Sequence, residues 1–97
     1  MVITMQDIEN YKKKLMFRAW HRGMKELDLL MGTFAQEELT DLAGDELAQF
    51  ERLIDTEDND LLNYFNGKQP VPSSLAGSVF ERIRAQVFTP DRYGKNL

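Results

Sequence analysis

The sequence predicts an all-α chain, a small five-helix bundle with short loops. Apolar residues recur at three- and four-residue steps, and strand-like alternation is nearly absent. Glycine- and proline-containing breaks divide the chain into five such periodic segments. With 97 residues, 42% of them apolar and 29% charged, the chain can fill one core but not two. A single helical domain over 1–97 is expected, with the core spanning about 5–88 and a polar tail at 89–97 that frays.

The first segment opens at Thr4, which can cap a helix with Asp7 three residues on in a capping-box position. Ile8, Tyr11, Leu15 and Ala19 mark its apolar face, and Phe17 and Trp20 broaden it. The helix yields near His21-Arg22-Gly23, where glycine offers a turn or a close approach. Met24, Leu27, Leu30, Met31 and Phe34 then carry a second helix, which Gly32 can bend and which continues weakly to Leu39 and Leu42. After a break at Ala43-Gly44-Asp45, where Gly44 stands in place of a serine or aspartate cap, Leu47, Phe50, Leu53 and Ile54 define a third. Thr56 is the expected cap of a fourth, with Glu57 and Asp58 in its first turn, Leu61, Leu62, Tyr64 and Phe65 on its apolar side, and Asn66-Gly67 as its stop. The linker Pro70-Val71-Pro72-Ser73-Ser74 ends in a serine cap, and Val79, Phe80, Ile83 and Val87 make a fifth helix bounded by Pro90. Such short connections imply that neighbouring helices pack antiparallel.

Charge is distributed unevenly. Residues 1–34 hold six Lys or Arg against four acids, residues 35–66 hold Arg52 against ten, and residues 67–97 hold five against two. An acidic middle between mildly basic ends suits oriented docking on a protein, and the net charge of -4 argues against a nucleic-acid partner. Lys12-Lys13-Lys14 reads as a solvated helix face. No apolar run reaches the roughly 20 residues that span a bilayer, so no membrane insertion is expected. Met1 to Asn10 holds Asp7 and Glu9 and no basic residue, unlike a secretory signal or a mitochondrial presequence. A cytoplasmic protein is the expectation.

The residues that could carry chemistry are few. The chain has no cysteine and one histidine, His21, which beside Arg22 reads as a polar helix-end group and not as a base or ligand. Asp55-Thr56-Glu57-Asp58-Asn59-Asp60 fails as a calcium loop, because Asp60 and Asn66 stand where glycine and a bidentate glutamate are needed. No metal site and no glycine-rich phosphate cradle is present, so the chain is expected to hold no cofactor stably by itself. Tyr11, Tyr64 and Tyr93 fit core positions. Without a nucleophile–base set, the reading is a binding protein and not an enzyme.

The informative stretch is Trp20-His21-Arg22-Gly23-Met24-Lys25-Glu26-Leu27-Asp28. Arg22 and Glu26 stand four apart, which places them on one face at the start of the second helix, with Gly23 between them and Asp28 near enough to join a charged patch. On its own this is also an ordinary surface ion pair of about 0.3–0.5 kcal/mol beside a turn glycine. An adaptor or antitoxin-like regulatory module with some other protein partner fits the composition equally well.

Arg22-Gly23-x-x-Glu26 resembles the R-G-x-x-E signature of the succinate dehydrogenase assembly factor family. The resemblance extends over about residues 10–88, through Leu27-Asp28, Phe50-Glu51-Arg52-Leu53 and Asp58-Asn59-Asp60-Leu61 with Tyr64 in the aromatic slot. It implies a five-helix bundle that binds the flavoprotein subunit of succinate dehydrogenase, or of fumarate reductase, and promotes attachment of FAD to a histidine of that subunit. It also implies that Arg22, Gly23, Glu26 and Asp28 form the partner-binding surface. Arg22 would pair with a carboxylate or carbonyl of the partner, Glu26 would orient Arg22 or meet a partner cation, and Gly23 would permit close backbone contact. FAD is then implied on the partner and not on this chain.

Overall fold

The first helix begins where two side chains of its first turn satisfy each other's backbone. A computed structural model describes residues 3–86 and places α1 at Met5–Trp20 with Thr4 as its N-cap. Thr4 Oγ1 accepts from the Asp7 N–H at 3.1 Å, and Asp7 Oδ2 accepts from the Thr4 N–H at 3.1 Å, the reciprocal box expected from the sequence. Leu15 and Ala19 are buried, and Ile8 and Tyr11 half-buried. Phe17 departs from expectation, being 63% exposed. At about 100° per residue it points away from Leu15 and Ala19 alike, so helical geometry overrides its apolar character.

The second helix, α2, runs Lys25–Glu38 and buries Leu27, Leu30, Met31, Phe34 and Ala35. The weak continuation of its pattern becomes a 3-10 turn, Leu39–Asp41, with Leu39 and Leu42 both in the core. Gly32 was expected as a bend and is instead a place of close approach. A Cβ there would stand 2.3 Å from Trp20 Cδ2, so the absence of a side chain is what lets the indole lie against α2.

The third helix, α3, spans Gly44–Ile54 and buries Phe50, Leu53 and Ile54. The fourth, α4, spans Asp58–Phe65 and has Glu57, not Thr56, at its N-cap position. The Thr56 hydroxyl donates to Arg52 O at 2.8 Å and its N–H to Leu53 O at 3.1 Å, so this threonine closes α3 instead of opening α4. Asn66-Gly67 ends α4 as expected. The fifth helix, α5, spans Ser78–Ala85 and buries Val79, Phe80 and Ile83. The expected serine cap is not used: Ser73 and Ser74 lie in a separate turn and Gly77 precedes the helix. The Val79 N–H donates instead to Gln49 Oε1 at 3.2 Å, a cap supplied by α3. Val87, Pro90, Tyr93, the tail 89–97 and the end of the core at 88 lie outside the described residues.

These helices share one hydrophobic cluster. α1 packs along α2 and also meets α3, while α5 lies chiefly on α3 and touches α2. Phe34 and Phe50 join α2 to α3 with ring centroids 5.6 Å apart, and Phe65 stacks on Phe80 at 4.9 Å between α4 and α5. Arg82 ties the other side, pairing with Glu38 and with Glu46 (3.1 Å) over the Phe34 ring. Lys12 is not simply solvated as expected. Its ammonium donates to Thr40 O at 2.8 Å, across to the 3-10 turn, whereas Lys13 and Lys14 are exposed.

Tyr11 reports on the α1–α3 contact. Burial, and then its hydrogen bond to Glu51, push its hydroxyl pKa up to about 12. Because the folded value lies above the unfolded one of about 10, the contribution to stability is complete below that pH and is lost as pH rises through about 12. A phenolate absorbance titration should therefore show one late-titrating tyrosine, and Tyr11→Phe should remove that phase. A single tyrosine phase at the ordinary pH in the wild-type chain would contradict the contact.

Candidate partner-binding site

The loop between α1 and α2 is built by charge arriving from elsewhere in the chain. α2 starts only at Lys25, so Arg22 lies in the loop and does not share a helical face with Glu26. Its side chain is 7% exposed and turns inward. Nε donates to Asp58 Oδ1 at 2.9 Å, one terminal nitrogen donates to Ile54 O, and the other meets Thr56 O and stands 2.8 Å from Asp58 Oδ1. Ile54 O is the last carbonyl of α3, without a partner in its own helix and at the negative end of its dipole, and Thr56 O follows two residues on. Asp58 adds a full charge in the first turn of α4. A planar fork of donors satisfies all three, so the expected four-residue pair with Glu26 is replaced by one with Asp58, 36 residues on.

The rest of the motif then follows. Asp28, in the first turn of α2, accepts the Arg22 backbone N–H at 2.6 Å and locks the loop onto the helix start. Gly23 has φ +95°, a conformation that side chains disfavour. The nearest atom to a Cβ there is Asp58 Oδ2 at 3.8 Å, so space is ample and the requirement for glycine is conformational. Gly23→Ala should cost about 1–2 kcal/mol in urea unfolding, and a wild-type midpoint would contradict this geometry. Glu26 is exposed, and its side chain makes no hydrogen bond or ion pair with any described residue.

Beside this loop opens a cleft of about 360 Å³. One wall is Phe17 stacked on His21, with ring centroids 4.0 Å apart and planes 16° from parallel. His21 Nδ1 lies 2.7 Å from Phe17 O, and since a carbonyl can only accept, the hydrogen sits on Nδ1. Glu57 and Asp58 also line it, as does Arg18, paired with Asp55 at 2.7 Å. The structure thus brings Arg22, Gly23 and Asp28 together and leaves Glu26 outward. Asp58, which reads in the sequence as a helix-start acid, is the counter-ion of the motif, and Phe17, His21 and Glu57 join it at the cleft. Phe17 and His21 are an i,i+4 pair at the end of α1, but no spacing rule ties them to Glu57 and Asp58, which come from the start of another helix. Among the described residues there is no group of acids and histidine that could hold a metal ion, and no helix long and apolar enough to cross a membrane.

Comparison with known proteins places this geometry in a family. The profile described as flavinator of succinate dehydrogenase matches residues 13–87, which contain α2 to α5 and the second half of α1. An FAD assembly factor of Acetobacter pasteurianus is 31% identical over 72 residues, covering 74% of this chain and 66% of that protein. A mitochondrial succinate dehydrogenase assembly factor 2 of Dictyostelium discoideum is 32% identical over 78 residues, covering 80% of this chain and 55% of that protein. One from Mycosarcoma maydis is 38% identical over 65 residues, covering 67% and 27%. The chain thus spans between about a quarter and two thirds of the length of these curated relatives. No solved structure matches it. The chain belongs to the family of flavinators of succinate dehydrogenase.

Proposed function

We propose that this chain is a non-enzymatic assembly factor that binds the flavoprotein subunit of succinate dehydrogenase, or of fumarate reductase, and promotes covalent attachment of FAD to a histidine of that subunit. The family match over residues 13–87 carries this reading, since it contains both the Arg22–Asp28 loop and its counter-ion Asp58. The bond would join the 8α carbon of the partner's flavin to the partner's imidazole, so the flavin and the partner would supply the reacting groups. What remains for this chain is to hold the partner so that imidazole and carbon meet.

The roles divide by exposure. Arg22 is a positioning residue, because its donors are engaged inside the chain with Asp58, Ile54 O and Thr56 O. Gly23 and Asp28 give the loop its shape, and Glu26 is the outward group of the motif, suited to a partner cation. FAD stays on the partner in this reading. Arg18 and Arg22, which could otherwise meet the electron-rich edge of a flavin, are already paired with Asp55 and Asp58. The compartment proposed is the one in which the flavoprotein subunit takes up FAD, which is the cytoplasm for a bacterial partner.

In-gel flavin fluorescence of the denatured flavoprotein subunit, from cells with and without this chain, tests the reading. Denaturation removes FAD that is not covalently held. The band should fade on deletion and return with the wild-type chain, but not with Glu26→Ala. An unchanged band on deletion would return the chain to the adaptor reading.

A further inference from the structure

We propose that the cleft between the Phe17–His21 stack and Glu57 receives an arginine side chain of the partner flavoprotein, an inference that rests on the assembly role above. Phe17 is one of three large apolar side chains that stand out on the described surface. Unlike the other two, Ile3 and Met5, it is held against a second ring, and the Nδ1 hydrogen bond to its own carbonyl fixes that ring in turn. An aromatic group ordered before binding loses little freedom on binding, which is the usual character of an anchoring contact.

The charges around it select the occupant. Arg18 and Arg22 are each neutralised, by Asp55 and Asp58, whereas Glu57 is exposed and makes no ion pair with a described residue. The cleft therefore presents a π-face and one free carboxylate. A carboxylate or phosphate would be repelled by Glu57, and an aliphatic group would leave that carboxylate without a donor. A guanidinium satisfies both groups: its plane stacks on the Phe17 ring while its edge donates to Glu57. An ammonium offers no plane to stack. The cleft shares Arg22 and Asp58 with the family motif, so an arginine seated there would place the partner against the Gly23 loop.

The test uses the purified chain and the succinate dehydrogenase flavoprotein subunit isolated, with non-covalent FAD, from cells lacking this chain. Calorimetric titration of the wild-type chain gives the reference Kd. Phe17→Ala should weaken binding on the order of 20-fold and Glu57→Gln roughly fivefold, with thermal melts like the wild type because both side chains are exposed. Arginine-selective phenylglyoxal labelling of the flavoprotein should show one arginine shielded by the wild-type chain and exposed again with either variant. Binding by both variants within about twofold of wild type, or shielding confined to lysines under an amine reagent, overturns the arginine cleft and leaves the assembly role standing. If the wild-type chain does not bind the subunit at all, the assembly reading fails and the cleft proposal with it.

Discussion

Replacing Arg22 by alanine is expected to lower stability by about 2–4 kcal/mol, and with it the melting temperature of so small a domain by on the order of 10–20 °C. The substitution leaves three acceptors without their donor: Asp58, Ile54 O and Thr56 O. Asp58 is 26% exposed and recovers some hydration, so the effect sits toward the lower part of the range for a broken buried pair. Arg22→Lys keeps the charge but not the fork of donors, and should fall between alanine and wild type. Asp58→Ala removes the same contact from the other side. The double variant should therefore be more stable than the two single effects added together, by about 1–3 kcal/mol. Thermal and urea melts followed by circular dichroism measure all four chains. An Arg22→Ala chain that melts like the wild type but no longer binds the flavoprotein would return the guanidinium to direct partner contact.

The second large effect is expected at Gly32. Valine there would drive its Cβ to 2.3–2.6 Å from three indole atoms of Trp20. The indole ends α1 directly before the Arg22 loop, with the α2 backbone beneath it. Either the ring moves or the two helices separate, and such overpacking costs about 2–3 kcal/mol. Trp20 is the chain's single tryptophan, so its emission reads the displacement alone, and a red shift is expected as the ring gains solvent. Trp20→Val in the Gly32→Val background should recover part of the lost stability, whereas Trp20→Val alone should only destabilise. If valine at 32 leaves both emission and melting unchanged, the close approach of α1 and α2 is not as described.

What the sequence disclosed, and what it withheld, follows from the range of each interaction. The Thr4–Asp7 box spans three residues and needs no tertiary information, so it was legible. The buried faces of α2 and α5 repeat with the helical period and were legible for the same reason. Thr56 reads in the sequence as the opening of α4 because a hydroxyl can serve the end of one helix or the start of the next, and α3 ends two residues before it. Gln49 as the cap of α5 was invisible, since it comes from 30 residues away.

The candidate site divides in the same way. Its motif residues stood out as a cluster, and the loop at Gly23 was expected from glycine itself. The arrangement of the motif was not legible, because Arg22 and Glu26 look like neighbours only if the helix already includes Arg22, and α2 starts three residues later. The Arg22–Asp58 pair joins two stretches that sequence comparison treats as separate motifs, and only the meeting of α3 and α4 with the loop reveals them as one unit. Phe17 was counted toward the core by its apolar character, and its place on the helix puts it at the cleft instead.

The central claim is that this chain speeds formation of the covalent flavin bond on a partner without contributing the reacting groups. Purified flavoprotein subunit, made without covalent flavin, can be incubated with excess FAD and followed by intact-mass spectrometry after denaturation. The account predicts that the FAD adduct accumulates faster with the wild-type chain present, more slowly with Glu26→Ala, and that the chain itself gains no mass. An adduct that forms at the same rate with and without the chain would contradict it.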